Sequence, residues 1–434
     1  MKKTILIISS DFTGHGHKSI TESLLEQFEN KPDVKVHVID GFSLGGNAML
    51  RVGKLYGSIT RNAKELWKLM WEISFKKPSI INEFTEIAVR ESFLKLLVSV
   101  KPDLILSVHP NFNGSILNIM SEYNINIPFV TLIADLISIS PLWADSRADC
   151  IICPTPESKY KCLEFGVPES KLTVIGFPVR SRFIRHIGNE TVNCDYSLDK
   201  PLQCLIMSGG EGVGNMSRIA KILLNNFNCK IKIIAGRNQI LKRRLERTFS
   251  ENYPGKVEVY GFMQNIQDLM FSSDIAFTRG SPNVAMEAVS CNVPLVITGA
   301  LPGQEEGNPG YIQKYNLGVI CRNLVSLKGI VSELLENGAF KLNQIKKSQR
   351  EFRNPDVAKK IAEFVLGVES KGEVSFPEMP IKLHSFSEIS NKFASLAEIT
   401  STLKRIENTR TLIQKNRKRI NDGLSKIHLP KKRT

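Results

Sequence analysis

The chain has 434 residues, of which 42% are hydrophobic and 23% charged, and its formal net charge is +15. This length predicts two or three domains with substantial cores, and the lack of any run of 18 apolar residues excludes a membrane-spanning helix from the expected elements. The apolar run in the opening MKKTILIISSD is too short for the core of a signal peptide, so we expect a cytoplasmic protein.

Strand and helix patterns alternate along the chain in two series. Strands are predicted at 4–9, 34–40, 104–108, 129–134, 150–153 and 171–175, and then at 203–207, 230–234, 256–260, 275–278, 294–297 and 318–320. This alternation predicts an α/β fold with two Rossmann-like, doubly wound domains facing a cleft, with ligands at the carboxyl ends of the strands. The predicted parts are a first Rossmann-like domain (1–180), a linker (181–201), a second Rossmann-like domain (202–370) and a basic helical tail (371–434).

The loop after the first strand carries candidate catalytic groups. Gly14 and Gly16 let the backbone pass close to a ligand, and His17 stands at a predicted helix start facing the cleft. An imidazole there is a suitable general base for an alcohol, and Asp11 is expected to orient it or to bind a hydroxyl. His109 ends the third strand and is a second candidate, so the sequence leaves open which histidine is the base.

Two glycine-containing turns in the second half suit a diphosphate. The turn 208–214 joins a strand to a helix, but no acidic residue ends the next strand, which argues against a nicotinamide dinucleotide. A second turn, Gly280-Ser281, precedes another helix, whose free amides and positive dipole end favour phosphate. Arg237 is a candidate for pairing with the diphosphate.

Polar residues after these turns suit a sugar nucleotide. Glu287 is placed to accept from ribose hydroxyls, and the loop PGQEEGN offers Gln304, Glu305 and Asn308 to a hexose. The sequence has no Asp-x-Asp and no His/Cys cluster with metal spacing. We therefore predict no metal and no cofactor, and we expect amides and Arg237 to neutralise the diphosphate.

Two basic segments are candidates for membrane contact. Residues 47–77 hold seven Lys/Arg, two acidic residues and two of the three tryptophans. These tryptophans, Trp67 and Trp71, share one helical face. This pattern favours an anionic bilayer, although the same face could pack on the domain core. Residues 401–434 hold eleven Lys/Arg against two acidic residues, which is typical of a segment that binds a polyanion. The lack of an aromatic RNA-binding pattern disfavours nucleic acid.

The segment 386–421 shows an apolar seventh-residue repeat. It could form a homodimer, lie on the membrane or pack back across the two domains.

Taken together, the motifs resemble the monogalactosyldiacylglycerol synthase family of GT-B glycosyltransferases and, more distantly, the GlcNAc transferase that makes lipid II. The resemblance covers about residues 4–325 and rests on SSDFTGHGHKS, PDLILSVHP, ADLISISPLW, IICPTPES, VIGFPV, MSGGEGVGN, IIAGRN, VYGFMQNIQDLM, GSPNVAMEA and PGQEEGN. It implies a GT-B fold and the inverting, metal-independent transfer of a hexose from UDP-glucose or UDP-galactose to diacylglycerol. It also implies a peripheral enzyme on the inner face of the cell membrane.

Site residues follow from the resemblance by position. It assigns the base to His17, with Asp11 beside it, and the uracil to Phe262 and Met263. The remaining expected contacts are Ser208, Gly209, Gly210, Gly212, Gly280 and Ser281 for the diphosphate, Glu287 for ribose, Gln304, Glu305 and Asn308 for the hexose, and Gly14, Gly16, His109, Trp67 and Trp71 on the acceptor side.

The sequence departs from the family pattern at two places, where His15 replaces a glycine and Ser140-Pro141 replaces His-Pro. The alternatives are another GT-B enzyme acting on UDP-GlcNAc, either a lipid II-type transferase or an epimerase, and a non-catalytic UDP-binding scaffold.

Overall fold

Two parallel sheets organise the chain in a computed structural model that describes residues 3–11, 16–29, 31–188, 194–207, 215–372 and 376. The strands of the first sheet are β1 (Lys3–Ser9), β2 (Val34–Asp40), β3 (Leu104–Ser107), β4 (Phe129–Leu132), β5 (Cys150–Cys153) and β6 (Leu172–Val174). Those of the second are β7 (Leu202–Met207), β8 (Cys229–Ile234), β9 (Val257–Tyr260), β10 (Ile275–Thr278), β11 (Leu295–Ile297) and β12 (Gly318–Ile320).

Every described strand runs parallel to its neighbours. The order is β2-β1-β3-β4-β5-β6 in the first sheet and β12-β11-β10-β7-β8-β9 in the second. Strands buried on both faces need apolar side chains throughout, as in Ile5–Ile8, which are fully buried. The predicted doubly wound α/β fold is confirmed, and the observed strand ends lie within two residues of the predicted ones.

Helices cover both sheets and connect the strands. In the first half they are α1 (Gly16–Phe28), α2 (Gly41–Leu44), α3 (Gly46–Asn62), α4 (Lys64–Lys76), α5 (Pro78–Val100), α6 (Asn113–Glu122) and α7 (Pro156–Glu164), followed by α8 (Ser181–Ile184). In the second half they are α9 (Met216–Asn226), α10 (Gln239–Asn252), α11 (Ile266–Phe271), α12 (Pro282–Ser290), α13 (Asn308–Lys314), α14 (Leu327–Phe352) and α15 (Val357–Gly367). The backbone of α14 is non-helical at residues 336–339.

The last described helix returns to the first half of the chain. Helix α15 packs against α1, and the Lys3 ammonium donates to the carbonyls of Leu366 and Val368, both at 2.7 Å. Both sheets belong to one compact unit. The domain boundaries at 180, 202 and 370 remain predictions, with α15 bonded to the half that precedes the predicted linker.

Two further predictions concern membranes and the tail. Among the helices that the structure describes, none is both long and apolar enough to cross a bilayer. The predicted apolar seam at 386–421 and the basic segment 401–434 lie outside the described residues.

Candidate active site

Three adjacent strands of the first sheet deliver polar side chains to one edge. His17 follows β1, His109 follows β3 and Asp135 follows β4, all beyond the carboxyl ends of their strands. Each of the three side chains is buried. Because carboxyl ends of parallel strands meet at one edge of a sheet, these groups form a single cluster.

The imidazole of His17 is held by a backbone carbonyl. Its Nδ1 lies 2.6 Å from the oxygen of Val108, in the segment that follows β3. A carbonyl oxygen can only accept, so Nδ1 carries the hydrogen and the Nε2 lone pair is the basic site. Burial lowers the pKa of His17 to about 4, against the raising effect of the Val108 bond. The ring is therefore neutral at physiological pH and able to take a proton.

His109 has the opposite tautomer. Its Nδ1 accepts a hydrogen bond from the backbone N–H of Asn111 at 3.3 Å, so in the neutral ring the hydrogen belongs to Nε2. Its ring centroid lies 4.4 Å from that of His17. Burial, and then the neighbouring His17, lower the pKa of His109 well below its usual value. The geometry thus gives different tautomers to the two histidines that the sequence offered as candidate bases.

The orienting role expected of Asp11 is filled by another group. Val108 holds the His17 ring, whereas the Asp11 carboxylate is half-exposed and lies 3.5 Å from the Lys18 ammonium. The orienting bond therefore comes from a backbone oxygen rather than from a carboxylate. Binding of a hydroxyl by Asp11 remains a prediction.

Gly16 brings this cluster against the second half of the chain. A Cβ added to Gly16 would lie 2.6 Å from Asn283 Nδ2, at the start of α12. Only a glycine permits this approach without displacing the asparagine. The histidine-bearing helix α1 and the helix predicted to bind phosphate therefore begin next to each other.

The strand order of the second sheet arranges its loops in a useful sequence. The loop after β11 carries the predicted hexose residues, the turn after β10 carries Gly280 and Ser281, and the ends of β8 and β9 carry Arg237 and Phe262. Because these strands lie in the order β11-β10-β7-β8-β9, the loops follow one another along one edge. Predicted contacts to hexose, diphosphate and base therefore appear in the order in which a sugar nucleotide presents these groups.

The turn before α12 is fixed by Asn308. Its side-chain amide donates to the Gly280 carbonyl at 2.7 Å, and the Ser281 side chain does not cap the helix. The Asn308 Oδ1 atom is buried and has no hydrogen-bond partner among the described residues. A buried amide oxygen without a donor is costly, so this atom is suited to accept from a ligand hydroxyl.

Glu287, the predicted ribose ligand, contacts the first half directly. Its Oε1 accepts from Ser19 Oγ at 3.0 Å and from Arg180 at 2.9 Å. Arg180 also pairs with Glu22 at 2.8 Å. Burial raises the pKa of Glu287, while Arg180 and Ser19 act against this change. Its ribose contact remains a prediction, and any ribose would meet a carboxylate already bonded across the cleft.

The hexose loop, defined here as residues 301–307, is held by buried charges. Glu305 accepts from the backbone N–H of Leu301 at 2.8 Å and lies 3.2 Å from Arg279 Nε. Burial raises the pKa of Glu305, and Arg279 opposes that shift. The Gln304 amide donates to Asp135 Oδ1 at 3.0 Å. The predicted Gln304 and Glu305 thus lie together at the cleft.

Asp135 is a site residue that the sequence analysis did not single out. It also accepts from the indole N–H of the buried Trp143 at 2.9 Å, and Trp143 lies 6.2 Å from His17 between ring centroids. Burial raises the pKa of Asp135 to about 6, against the lowering effect of both donors. Its signal was an acidic residue just beyond the mostly apolar run 129–134, within the motif ADLISISPLW.

Trp67 and Trp71 of α4 contact the hexose loop. The Trp67 indole donates to the Pro302 carbonyl at 3.2 Å, and the Trp71 ring occupies the space beside Gly303, where an added Cβ would lie 2.2 Å from the ring. Gly303 also has a φ of +79°, which favours glycine. The sequence left two alternatives for this helical face, membrane contact and packing on the protein. Trp67 and Trp71 pack on the protein, whereas the neighbouring Met70 and Phe75 are exposed.

At the other end of the edge, Arg237 lies over the Phe262 ring, 4.8 Å from its centroid. The Phe262 side chain is 47% exposed. The Arg237 guanidinium is therefore beside the predicted base-binding residues Phe262 and Met263. Its contact with the diphosphate and their contacts with uracil remain predictions.

A cavity of about 140 Å³ opens at the carboxyl ends of β7, β10 and β11. Its lining includes Met207, Asn215, Arg279 and Thr298 from the second half and Thr60 from α3.

The predicted Gly14, Ser208, Gly209, Gly210 and Gly212 lie outside the described residues. In the part of the chain that is described, no group of three or more His, Cys, Asp or Glu residues could hold a metal ion.

Comparisons with known proteins show which proteins this chain resembles. Residues 17–179 match the model of the monogalactosyldiacylglycerol synthase family. Monogalactosyldiacylglycerol synthase 3 of Arabidopsis thaliana is 28% identical over 375 residues, which cover 82% of this chain and 79% of the relative. The processive diacylglycerol beta-glucosyltransferase of Bacillus cereus is 25% identical over 385 residues, covering 87% and 96% of the two chains.

A solved structure with the same fold is MurG of Acinetobacter baumannii. It superposes with a TM-score of 0.56 at 13% identity and covers 84% of this chain and all of its own. This likeness establishes the GT-B fold that the motifs predicted. The expected family resemblance is confirmed as well, and the chain is accordingly a GT-B hexosyltransferase related to the monogalactosyldiacylglycerol synthases.

Proposed function

We propose that this protein transfers a hexose from UDP-glucose or UDP-galactose to diacylglycerol, with inversion at the anomeric carbon. The acceptor is the one named for the Bacillus relative, and galactolipid synthesis is named for the plant relative. The observation that carries the proposal is the His17 tautomer, because a neutral imidazole with Nδ1 bound to Val108 leaves Nε2 as a base at the cleft.

The proposed step needs no covalent intermediate. The acceptor hydroxyl oxygen bonds to the anomeric carbon from the face opposite UDP, while the bond from that carbon to the diphosphate oxygen breaks. The hydroxyl proton passes to Nε2 of His17, and the bond electrons leave with UDP. Gly16 supports this arrangement, since it brings the histidine-bearing helix against Asn283, at the start of the helix expected to bind the diphosphate.

Stabilisation of the leaving group is assigned to the second half. The amides at the start of α12 and the positive end of its dipole would meet the developing negative charge on the diphosphate. Preorganised donors of this kind are worth about 3–4 kcal/mol each. The Asn308 oxygen, buried and unpaired among the described residues, would accept from a sugar hydroxyl.

The direct test uses liposomes that contain diacylglycerol, with a panel of radiolabelled UDP-sugars. We expect label from UDP-glucose or UDP-galactose to enter the lipid fraction, and proton NMR of the product should show the β-anomer. Transfer only from UDP-GlcNAc, or conversion of UDP-GlcNAc to its epimer without lipid, would overturn the proposed substrates. Nucleotide binding without transfer from any donor would favour a scaffold.

We propose a peripheral position on the inner membrane face, supported by the basic tail. A variant that ends at residue 400 loses eleven Lys/Arg and two acidic residues. Its binding to anionic vesicles should weaken by about 1 kcal/mol for each basic residue that lies near the surface, and its binding to neutral vesicles should change little. A full-length variant with these eleven residues replaced by glutamine is the matched control for charge, and equal binding by all three proteins would eliminate the tail as an anchor.

A further inference from the structure

Asp135 joins the hexose loop to Trp143, whose ring centroid lies 6.2 Å from that of the candidate base His17. Its side chain is 3% exposed and comes from the segment after β4, in the first half of the chain. One carboxylate oxygen accepts from Trp143 at 2.9 Å and the other accepts from Gln304 at 3.0 Å. The same segment contacts the loop again, because Ser138 Oγ accepts from the Gly307 backbone N–H at 2.9 Å.

The chemistry of this contact fixes the direction of an amide. An ionised carboxylate has no hydrogen to donate, so it must face the NH2 end of Gln304. The carbonyl end of that amide is then turned away from Asp135. Because an amide donates at one end and accepts at the other, its direction determines the hydrogen bonds that it offers to a sugar hydroxyl.

We propose that Asp135 is a positioning residue for the donor hexose, which acts through Gln304 and contributes to the choice between epimeric sugars. This inference rests on the proposed function, in which Gln304 contacts the hexose. UDP-glucose and UDP-galactose differ only in the direction of one hydroxyl. A site built to bond that hydroxyl discriminates through the orientation of its polar groups.

The decisive variant is Asp135→Asn, which preserves size and removes the charge. Asparagine can accept from Trp143 while its NH2 faces Gln304, so the Gln304 amide must reverse to accept. We expect the dissociation constant of the preferred UDP-hexose to rise roughly 5- to 20-fold, the usual effect of a lost hydrogen bond, with UDP itself unchanged within about twofold. Calorimetric titration with UDP, UDP-glucose and UDP-galactose measures all three.

A double-mutant cycle separates positioning from a general structural role. If Asp135 acts through Gln304, then Asp135→Asn combined with Gln304→Ala should bind UDP-hexose no more weakly than Gln304→Ala alone. The matched control is Asp145→Asn, whose carboxylate pairs with Arg147. That variant should bind every ligand as the wild type does.

Additive losses in the cycle, or equal weakening of UDP and UDP-hexose, would overturn the inference. So would UDP-hexose binding that neither single variant changes. Titration measures binding rather than turnover, so a wild-type protein that binds UDP-hexose but transfers nothing would refute the proposed function and leave this test intact.

If Asp135→Asn does not fold, the inference can be tested by measuring how UDP-hexose binding by the wild type depends on pH. Burial raises the pKa of Asp135 to about 6, and Glu305, which pairs with Arg279, is its charged neighbour across the cleft. Below this pH Asp135 is protonated and can donate a hydrogen bond, so it no longer requires the NH2 end of Gln304. The wild-type dissociation constant for UDP-hexose should therefore rise as pH falls from 7 to 5. Gln304→Ala should lack this rise, and the same rise in that variant would refute the inference.

Discussion

The two ends of the predicted donor site differ in how they are built. At the hexose end, the side chains of Asp135, Ser138 and Trp67 from the first half of the chain bond to the hexose loop, at Gln304, Gly307 and Pro302 respectively. At the base end, Arg237 and Phe262 contact each other, and Phe262 is 47% exposed. The hexose end therefore depends on how the halves meet, whereas the Arg237–Phe262 contact lies wholly within the second half. We therefore expect hexose binding to depend on the contacts between the two halves, and uracil binding to depend on them less.

The largest expected effect is at the enclosed end. His17→Ala removes the proposed base, so turnover should fall roughly 10²- to 10⁴-fold, with UDP binding retained. Initial rates and UDP titration measure the two quantities. His186→Ala, which alters a histidine packed on Phe271 in another part of the chain, is the control. Unchanged turnover in folded His17→Ala would assign the proton transfer to another group.

The second effect tests the link between the halves. Arg180 is 15% exposed and bonds both Glu22 and Glu287, so Arg180→Ala leaves a buried carboxylate without its cation. Loss of one partner from such a pair should lower the free energy of unfolding by about 3 kcal/mol, measured by urea denaturation. The matched change Arg185→Ala breaks a half-exposed pair with Asp268 and should cost about 1 kcal/mol or less. Equal losses would mean that the enclosed pair is no stronger than a surface one.

A third effect concerns pH. Burial lowers the pKa of His17 to about 4, while the unfolded ring titrates near 6.5. As pH falls from 7 to 5, the unfolded state takes up a proton that the folded state does not, so this residue should reduce stability by about 2 kcal/mol. His17→Asn should be spared that loss, and the wild type and the variant should show the same change between pH 8 and 7. Parallel curves down to pH 5 would contradict a buried neutral ring.

The smallest effect is expected at the open end. Phe262→Ala should weaken UDP binding by about 1 kcal/mol, or roughly fivefold, because one exposed aromatic contact is lost. Turnover at saturating donor should be unchanged. Phe340→Ala, which removes an aromatic side chain that is 61% exposed on α14, is the control. A loss of turnover in Phe262→Ala would show that the base end is also coupled to catalysis.

The strands and their loops could be predicted because fully buried parallel strands read as continuous apolar runs. Leu104–Ser107 and Ile275–Thr278 are examples, each apolar except for its last residue, and the polar residues at and after the ends of such runs fall at the edge where ligands bind. His17, Glu287 and Gln304 were predicted as site residues in this way. Local sequence patterns therefore predict most of the fold of the described residues.

The partners of these residues could not be predicted, because they are set by how the two halves pack. Asp135 and Gln304 are 169 residues apart, and neither position carries a local signal for the other. The apolar face with Trp67 and Trp71 predicts either burial within the protein or contact with a bilayer, but the periodicity of the sequence does not identify which surface covers it. The tautomer of His17 depends on a backbone oxygen, which every residue possesses, so only the structure identifies Val108.

The return of α15 to the first half affects how the polypeptide can be divided for study. A cut in the predicted linker would leave 357–367 on the fragment that carries the second sheet, although its packing surface is α1 and Lys3 caps its end. The first-sheet fragment would then lack the helix that packs on α1. A second-sheet fragment that ends near Arg353, with 354–372 supplied to the other piece as a peptide, respects the contacts and offers a route to assembling the enzyme from separately labelled parts.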